Sequence, residues 1–125
     1  MGVNNKVNVL LVDDQPQRLL TYESILSELG HSVDFVGTGE AAVEAAGRGY
    51  DVVLMDVTLS GLDGIAATQR IRALEGDAAR TPIIGISGRG EEGNEAAARH
   101  AGMDDYLVKP VSPSTLARVL AERSR

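Results

Sequence analysis

Several short apolar runs in this sequence end in residues able to do chemistry together. Asp13 and Asp14 follow Val7 to Val12, Asp56 closes the run that starts at Asp51, Ser87 closes the run after Pro82, and Lys109 follows Asp105 to Val108. Carboxylates gathered at one point repel one another and raise each other's pKa unless a cation joins them. Mg²⁺ suits that role because it prefers hard oxygen ligands, keeps some of its waters and takes one or two carboxylates plus phosphate oxygens. Lys109 would form a second positive pole. An anionic phosphoryl group between the two would be neutralised from both sides, with Ser87 donating a hydrogen bond to a third oxygen. An oxygen of Asp56 would be the attacking atom, since carboxylates do act as nucleophiles towards phosphoryl groups. Taken singly, each residue has an ordinary reading: a turn and cap for Asp13 and Asp14, a loop former for Asp56, a backbone-satisfying hydroxyl for Ser87, a solvated strand end for Lys109. The joint placement at four strand ends is what these ordinary readings do not predict.

That chemistry requires the four ends to converge, which depends on the elements between them. Val7 to Val12 is a β-branched, mostly apolar run of the kind buried on both faces of a parallel sheet. Pro16 suits the first position of a helix capped by Gln15 or Asp14. Leu19, Tyr22, Leu26 and Leu29 make its buried stripe, Gly30 stops it, and His31 is a turn residue. Val33 to Val36 is a second strand. Thr38 caps a helix from Glu40 to about Gly47 whose small residues, Ala41, Ala42, Ala45 and Ala46, let it lie close to the sheet. The third strand ends at Asp56. Asp63 caps a third helix with Ile65, Thr68 and Ile71 inward and Arg70, Arg72 and Glu75 facing water. Gly76 to Thr81 reads as a polar connection before strand four, Pro82 to Ser87. The glycine-rich stretch from Gly88 to Asn94 is expected to be soft, and Glu95 to Ala101 makes a weak fourth helix. Asp105 to Val108 is strand five. Ser112 then caps, and Pro113 starts, a last helix with Leu116, Val119 and Leu120 inward.

Five strand and helix pairs in strict alternation imply a parallel sheet with helices on both faces and right-handed crossovers. Ligands of such sheets sit beyond the carboxyl ends of the strands, where strand order switches. Asp13, Asp14, Asp56, Ser87 and Lys109 are therefore expected to meet there.

The 125 residues suffice for one domain over residues 1 to 125, with its core from about residue 7 to residue 122. A composition 43% hydrophobic and 24% charged, with no run long enough to span a bilayer and no secretory signal, points to a cytoplasmic protein that does not engage membranes. The absence of cysteine excludes disulfides and thiol chemistry. A net charge of −6 argues against direct nucleic-acid binding.

Leu11-Val12-Asp13-Asp14, Val53-Leu54-Met55-Asp56, the Asp63-Gly64 turn, Pro82-Ile83-Ile84 leading to Ser87, and Tyr106-Leu107-Val108-Lys109-Pro110 occur in that order. Together they resemble the receiver domain of bacterial two-component response regulators, including single-domain chemotaxis regulators. The resemblance runs from Val7 to about Glu122, and Ala101 to Leu107 resembles receivers attached to hybrid sensor kinases in particular. It implies a flavodoxin-like, three-layer α/β fold, doubly wound, with five parallel strands in the order 2-1-3-4-5. It also implies that a phosphohistidine of a partner histidine kinase or histidine phosphotransfer protein phosphorylates Asp56. Asp14, Asp56 and the backbone carbonyl of Thr58 would ligate Mg²⁺ or Mn²⁺, with Asp13 acting through a water. Lys109 would pair with the phosphoryl oxygens. Ser87 would swing towards them, Tyr106 would move inward, and the face of the fourth helix, fifth strand and fifth helix would signal to a downstream protein. The Lys109-Pro110 bond is expected to be cis. The chain would be a monomer or a weak, phosphorylation-dependent dimer, and no enzyme beyond its own phosphorylation and dephosphorylation.

Departures bear on the phosphoryl lifetime. Leu59-Ser60 stands where relatives commonly carry Met-Pro, which removes a rigid proline. Gly88 replaces a frequent alanine, and Thr58 and Arg89 occupy the variable positions flanking the phosphoryl group. Two other functions stay open on residues alone. One is an interaction module of the same fold that is never phosphorylated. The other is a small phosphatase with an aspartyl-phosphate intermediate, although Asp56-Val57-Thr58 lacks that class's second aspartate.

Overall fold

The alternating pattern produces a five-stranded parallel sheet in which the second strand of the chain lies at one edge beside the first, followed by the third, fourth and fifth. The structure, a computed structural model, describes residues 6–59, 61–88 and 95–123. The strands are β1 (Asn8–Val12), β2 (Ser32–Val36), β3 (Val52–Asp56), β4 (Ile83–Ser87) and β5 (Asp105–Val108). The helices are α1 (Pro16–Glu28), α2 (Gly39–Ala46), α3 (Gly64–Arg72), α4 (Glu95–Ala101) and α5 (Pro113–Arg123), and a short 3₁₀ turn covers Gly76–Arg80.

Side chains alternate across a strand, so each central strand feeds two cores. Val9 and Leu11 of β1 and Val52 and Leu54 of β3 pack with Tyr22 and Leu26 of α1 and Leu116, Val119 and Leu120 of α5. Leu10, Val12, Val53 and Met55 pack on the opposite face with Ala42, Ala45 and Ala46 of α2, Ala67 and Ile71 of α3 and Ala98 of α4. β3 and β4 are buried at every position, as expected of strands covered on both sides. Edge strand β2 is mostly uncovered, and its Phe35 is 49% exposed.

The caps follow the sequence reading at three helices. The hydroxyl of Thr38 accepts the Ala41 N–H, the carboxylate of Asp63 accepts the Ala66 N–H, and the hydroxyl of Ser112 accepts the Thr115 N–H. Gly30 ends α1 with φ +92°.

Gln15, one of the two expected caps, holds the cap position of α1 without a side-chain cap bond, and its own N–H donates to Asp13 Oδ1. Two local expectations are corrected, at Leu29 and Arg72. Leu29 is 39% exposed rather than part of the buried stripe, because the helix ends at Glu28 and Leu29 is already its C-cap. The connection after α3 is the 3₁₀ turn. Arg72 does not face water: its side chain is 22% exposed and reaches Gly102, Ala79, Thr81 and Asp104. Helical periodicity locates the Cα on the outer side of α3, but the long side chain folds back over the end of the sheet. Ser60, Arg89, Gly90 and the softness expected up to Asn94 lie outside the described residues.

Candidate phosphoryl-transfer site

β1 and β3 are neighbours, and the chain departs from them to opposite sides, so the switch in strand order falls at their carboxyl ends. There Asp13, Asp14 and Asp56 each present a carboxylate oxygen, all within 4.8 Å of one another. Asp13 and Asp56 are 2% exposed, and Asp14 is half-buried. Two Mg–O bonds of about 2.1 Å span at most about 4.2 Å, so this all-oxygen set fits a small hard cation after a slight closing or with a bridging water.

Lys109 arrives from the end of β5 across a cis Lys109-Pro110 bond, as expected, and its Nζ lies 3.2 Å from Asp56 Oδ2. Asp56 Oδ1 accepts the Thr58 N–H at 3.1 Å. Burial pushes the Asp56 carboxyl above the ordinary aspartate value, and Asp13 adds to the rise while Lys109 opposes it. Ser87 is fully buried at the end of β4, with a long 3.5 Å bond from its hydroxyl to the Gly88 carbonyl. Tyr106 on β5 is half-buried against the α2-α3-α4 core and sits in register with Gly85. A Cβ at Gly85 would overlap the Met103 sulfur and come within 3.3 Å of the tyrosine ring, so the glycine leaves room for the methionine first and for the ring beside it. Thr58 is exposed beside the site, and Leu59 is buried.

Backbone packing fixes Asp56. Gly64 begins α3 against the Asp56 carbonyl and the Val57 backbone so closely that a Cβ there would overlap both. The Gly64 N–H donates to the Val57 carbonyl at 2.9 Å, and the Val57 N–H donates to the Ile86 carbonyl at 2.9 Å. The Asp63-Gly64 pair therefore caps a helix and sets the loop that follows the carboxylate.

Residues 9–121 match the response regulator receiver domain. The chain belongs to that family. It is a receiver domain of two-component phosphorelay signalling. It is 40% identical over 115 residues to the sensor protein GacS of Pseudomonas syringae, covering 90% of this chain and 13% of GacS. It is 37% identical over 120 residues to the transcriptional regulatory protein TcrA of Mycobacterium tuberculosis, covering 95% of this chain and 46% of TcrA. The chain thus spans less than half the length of either relative. In structure it is similar to the receiver domain of sensor histidine kinase PA1611 from Pseudomonas aeruginosa, with a TM-score of 0.88 and 39% identity over 95% of this chain and 98% of that one. That receiver holds a magnesium ion in its active site cleft. No helix among the described residues is long and apolar enough to cross a membrane.

One residue of the site was missed in the sequence. Arg18, on the first turns of α1, sends Nε to Asp13 Oδ2 at 2.8 Å and Nη2 to Asp13 Oδ1 at 3.0 Å and Asp56 Oδ2 at 3.2 Å. Its guanidinium pKa is raised, first by the bonds to Asp13. The available signal was its place four residues after Asp14 on a helix, the spacing at which opposite charges meet.

Proposed function

We propose that Asp56 is the phosphoacceptor and that Mg²⁺, or Mn²⁺ in its place, assists the transfer from a phosphohistidine of a histidine kinase or histidine phosphotransfer protein. The observation that supports this most is the 3.2 Å contact of Lys109 Nζ with a buried carboxylate that also shares a three-carboxylate cluster. As an Asp56 oxygen bonds to phosphorus, the P–N bond of the donor breaks, and the imidazole keeps the electron pair and takes a proton from solvent. Asp14, Asp56 and the Thr58 carbonyl would hold the metal, with Asp13 acting through a water. Bound there, the ion supplies positive charge to the phosphoryl oxygens. Lys109 supplies it from the other side. The ammonium already stands at Asp56, so little reorganisation is needed when the transferred charge arrives.

Ser87 then donates to a phosphoryl oxygen, and Tyr106 turns inward, changing the α4-β5-α5 face read by a downstream protein. This is signalling by a domain that catalyses only its own phosphorylation and dephosphorylation, as a monomer or weak phosphorylation-dependent dimer. The setting that fits is the cytoplasm. Acetyl phosphate with Mg²⁺ is expected to add one phosphoryl group, seen by intact mass, to the wild type and none to Asp56→Asn. Labelling of the variant at the wild-type rate would refute the assignment, and no labelling of either protein would favour an unphosphorylated interaction module.

A further inference from the structure

The arginine missed in the sequence stands where a cation would. A single atom, Arg18 Nη2, lies 3.0 Å from Asp13 Oδ1, 3.2 Å from Asp56 Oδ2 and 3.9 Å from Asp14 Oδ1. It therefore touches all three carboxylates of the cluster, each of which offers an oxygen within 4.8 Å of the others. We infer that Arg18 is an internal counter-cation that a divalent ion must displace. The inference deepens the proposed function and rests on its Mg²⁺ reading.

Three features carry it. First, the guanidinium contacts the same three carboxylates that would surround an ion, and two cations at van der Waals distance in a partly buried site repel each other. Second, the contacts that hold the Arg18 guanidinium go to carboxylates, so what fastens it is charge that a divalent ion satisfies better. Third, the side chain is 39% exposed and lies on a helix face open to solvent, so it can leave without disturbing the core.

Release has a second effect. Asp56 Oδ2 accepts from both Arg18 and Lys109 while Oδ1 accepts the Thr58 N–H, so both oxygens of the nucleophile are engaged in the resting state. Departure of Arg18 removes one of the two donors on Oδ2 and leaves Lys109 there. Metal loading and release of this donor from Asp56 thus become one event. By reciprocity, whatever Mg²⁺ does to Arg18, Arg18 does to Mg²⁺ affinity.

The test titrates Mg²⁺ at constant ionic strength into unphosphorylated wild type, Arg18→Gln and the remote charge control Arg48→Gln by calorimetry. In parallel, ¹⁵N NMR follows the arginine Nε–H signals of the wild type, with Arg72 as an internal reference. Arg18→Gln is expected to bind Mg²⁺ about tenfold more tightly, a gain of the size a charge-assisted hydrogen bond would oppose, and Arg48→Gln within about twofold of wild type. The Arg18 Nε–H signal should shift and broaden at saturating Mg²⁺ while that of Arg72 stays. Equal affinity of Arg18→Gln and wild type, or an Arg18 signal unmoved at saturation, overturns the inference and leaves the metal reading standing. Absence of Mg²⁺ binding by all three proteins, with the Arg18 signal fixed throughout, overturns the metal reading and the inference with it. The NMR arm needs only the wild type, so a poorly folded variant does not block the decision.

Discussion

The two ends of the sheet use the same kinds of side chain for opposite purposes. At the amino end, Arg72 places all five of its N–H donors: Nε and Nη2 on the Gly102 carbonyl, Nη1 on those of Ala79 and Thr81, and Nη2 also on Asp104. Asp104 also accepts the Ile83 N–H, Asp51 accepts that of Asn8, and the imidazole of His31 accepts that of Val7. Polar groups there close hydrogen bonds the strands leave open. At the carboxyl end, Asp13, Asp14 and Asp56 crowd together under two cations, and much of their acceptor capacity faces other side chains. Arginine held by backbone carbonyls is part of the frame. Arginine held by clustered carboxylates can be exchanged for another cation.

The largest expected effect comes from breaking the amino end. Arg72→Ala strips three backbone carbonyls and Asp104 of donors, and water replaces only part of what is lost, so unfolding in urea should show a loss of about 2–4 kcal/mol. Arg72→Lys should recover little, because an ammonium cannot span the forked set of acceptors. Mg²⁺ affinity of the folded protein should stay within about twofold of wild type. A large drop in affinity would mean that the two ends of the sheet are coupled.

Gly64→Ala tests whether the carboxyl end has a rigid frame beneath its exchangeable cation. The added Cβ meets the Asp56 carbonyl and Val57 backbone rather than a flexible side-chain tip, so α3 must back away from β3. The expected loss is roughly 1–3 kcal/mol, together with slower phosphorylation by acetyl phosphate because Asp56 shifts. Unchanged stability and rate would show that the loop yields and that Asp56 is not held from this side.

Much of this contrast was legible in the residues. Apolar runs closed by Asp56, Ser87 or Lys109 announce strand ends, and strict alternation of strand and helix brings those ends together. Thr38, Asp63 and Ser112 were readable as caps because a cap acts within three residues. Arg72 and Arg18 escaped for a shared reason. Periodicity assigns a helix face, whereas Arg72 reaches partners up to 32 residues away, and Arg18, besides the nearby Asp13 and Asp14, reaches Asp56, 38 residues away; only the fold sets that reach. Sequence alone makes His31 a turn residue for the same reason, since its partner Val7 lies 24 residues away.

At the carboxyl end, Asp56 is a site held at the expense of stability. Its folded pKa is raised by burial above the ordinary 3.8, so the folded state binds the proton more tightly than the unfolded chain does. That contribution is fully present below about pH 3.8 and is lost as pH rises through the folded value. At neutral pH the ionised carboxylate is therefore a burden on the metal-free protein. Asp56→Asn should raise its Tm by a few degrees even as it abolishes phosphorylation. A lower Tm would mean that Arg18 and Lys109 more than offset burial, and would place Asp56 among the structural carboxylates of the other end.

His31 should give the smallest effect, and of the opposite sign. Burial lowers its pKa below the ordinary 6.5, and the Val7 N–H needs the unprotonated Nδ1 as its acceptor at 3.2 Å. The unfolded chain therefore takes up the proton first as pH falls, and stability present above about pH 6.5 is lost as pH drops from there through the lowered folded value. Urea midpoints between pH 7.5 and 5.5 should decline in the wild type and decline less in His31→Asn, a difference of about 1 kcal/mol or below at the acidic end. The histidine lies at the amino end, so this slope should be the same with and without Mg²⁺. If saturating Mg²⁺ removes it, the titrating group sits in the acidic cluster instead, and the imidazole is no part of the frame.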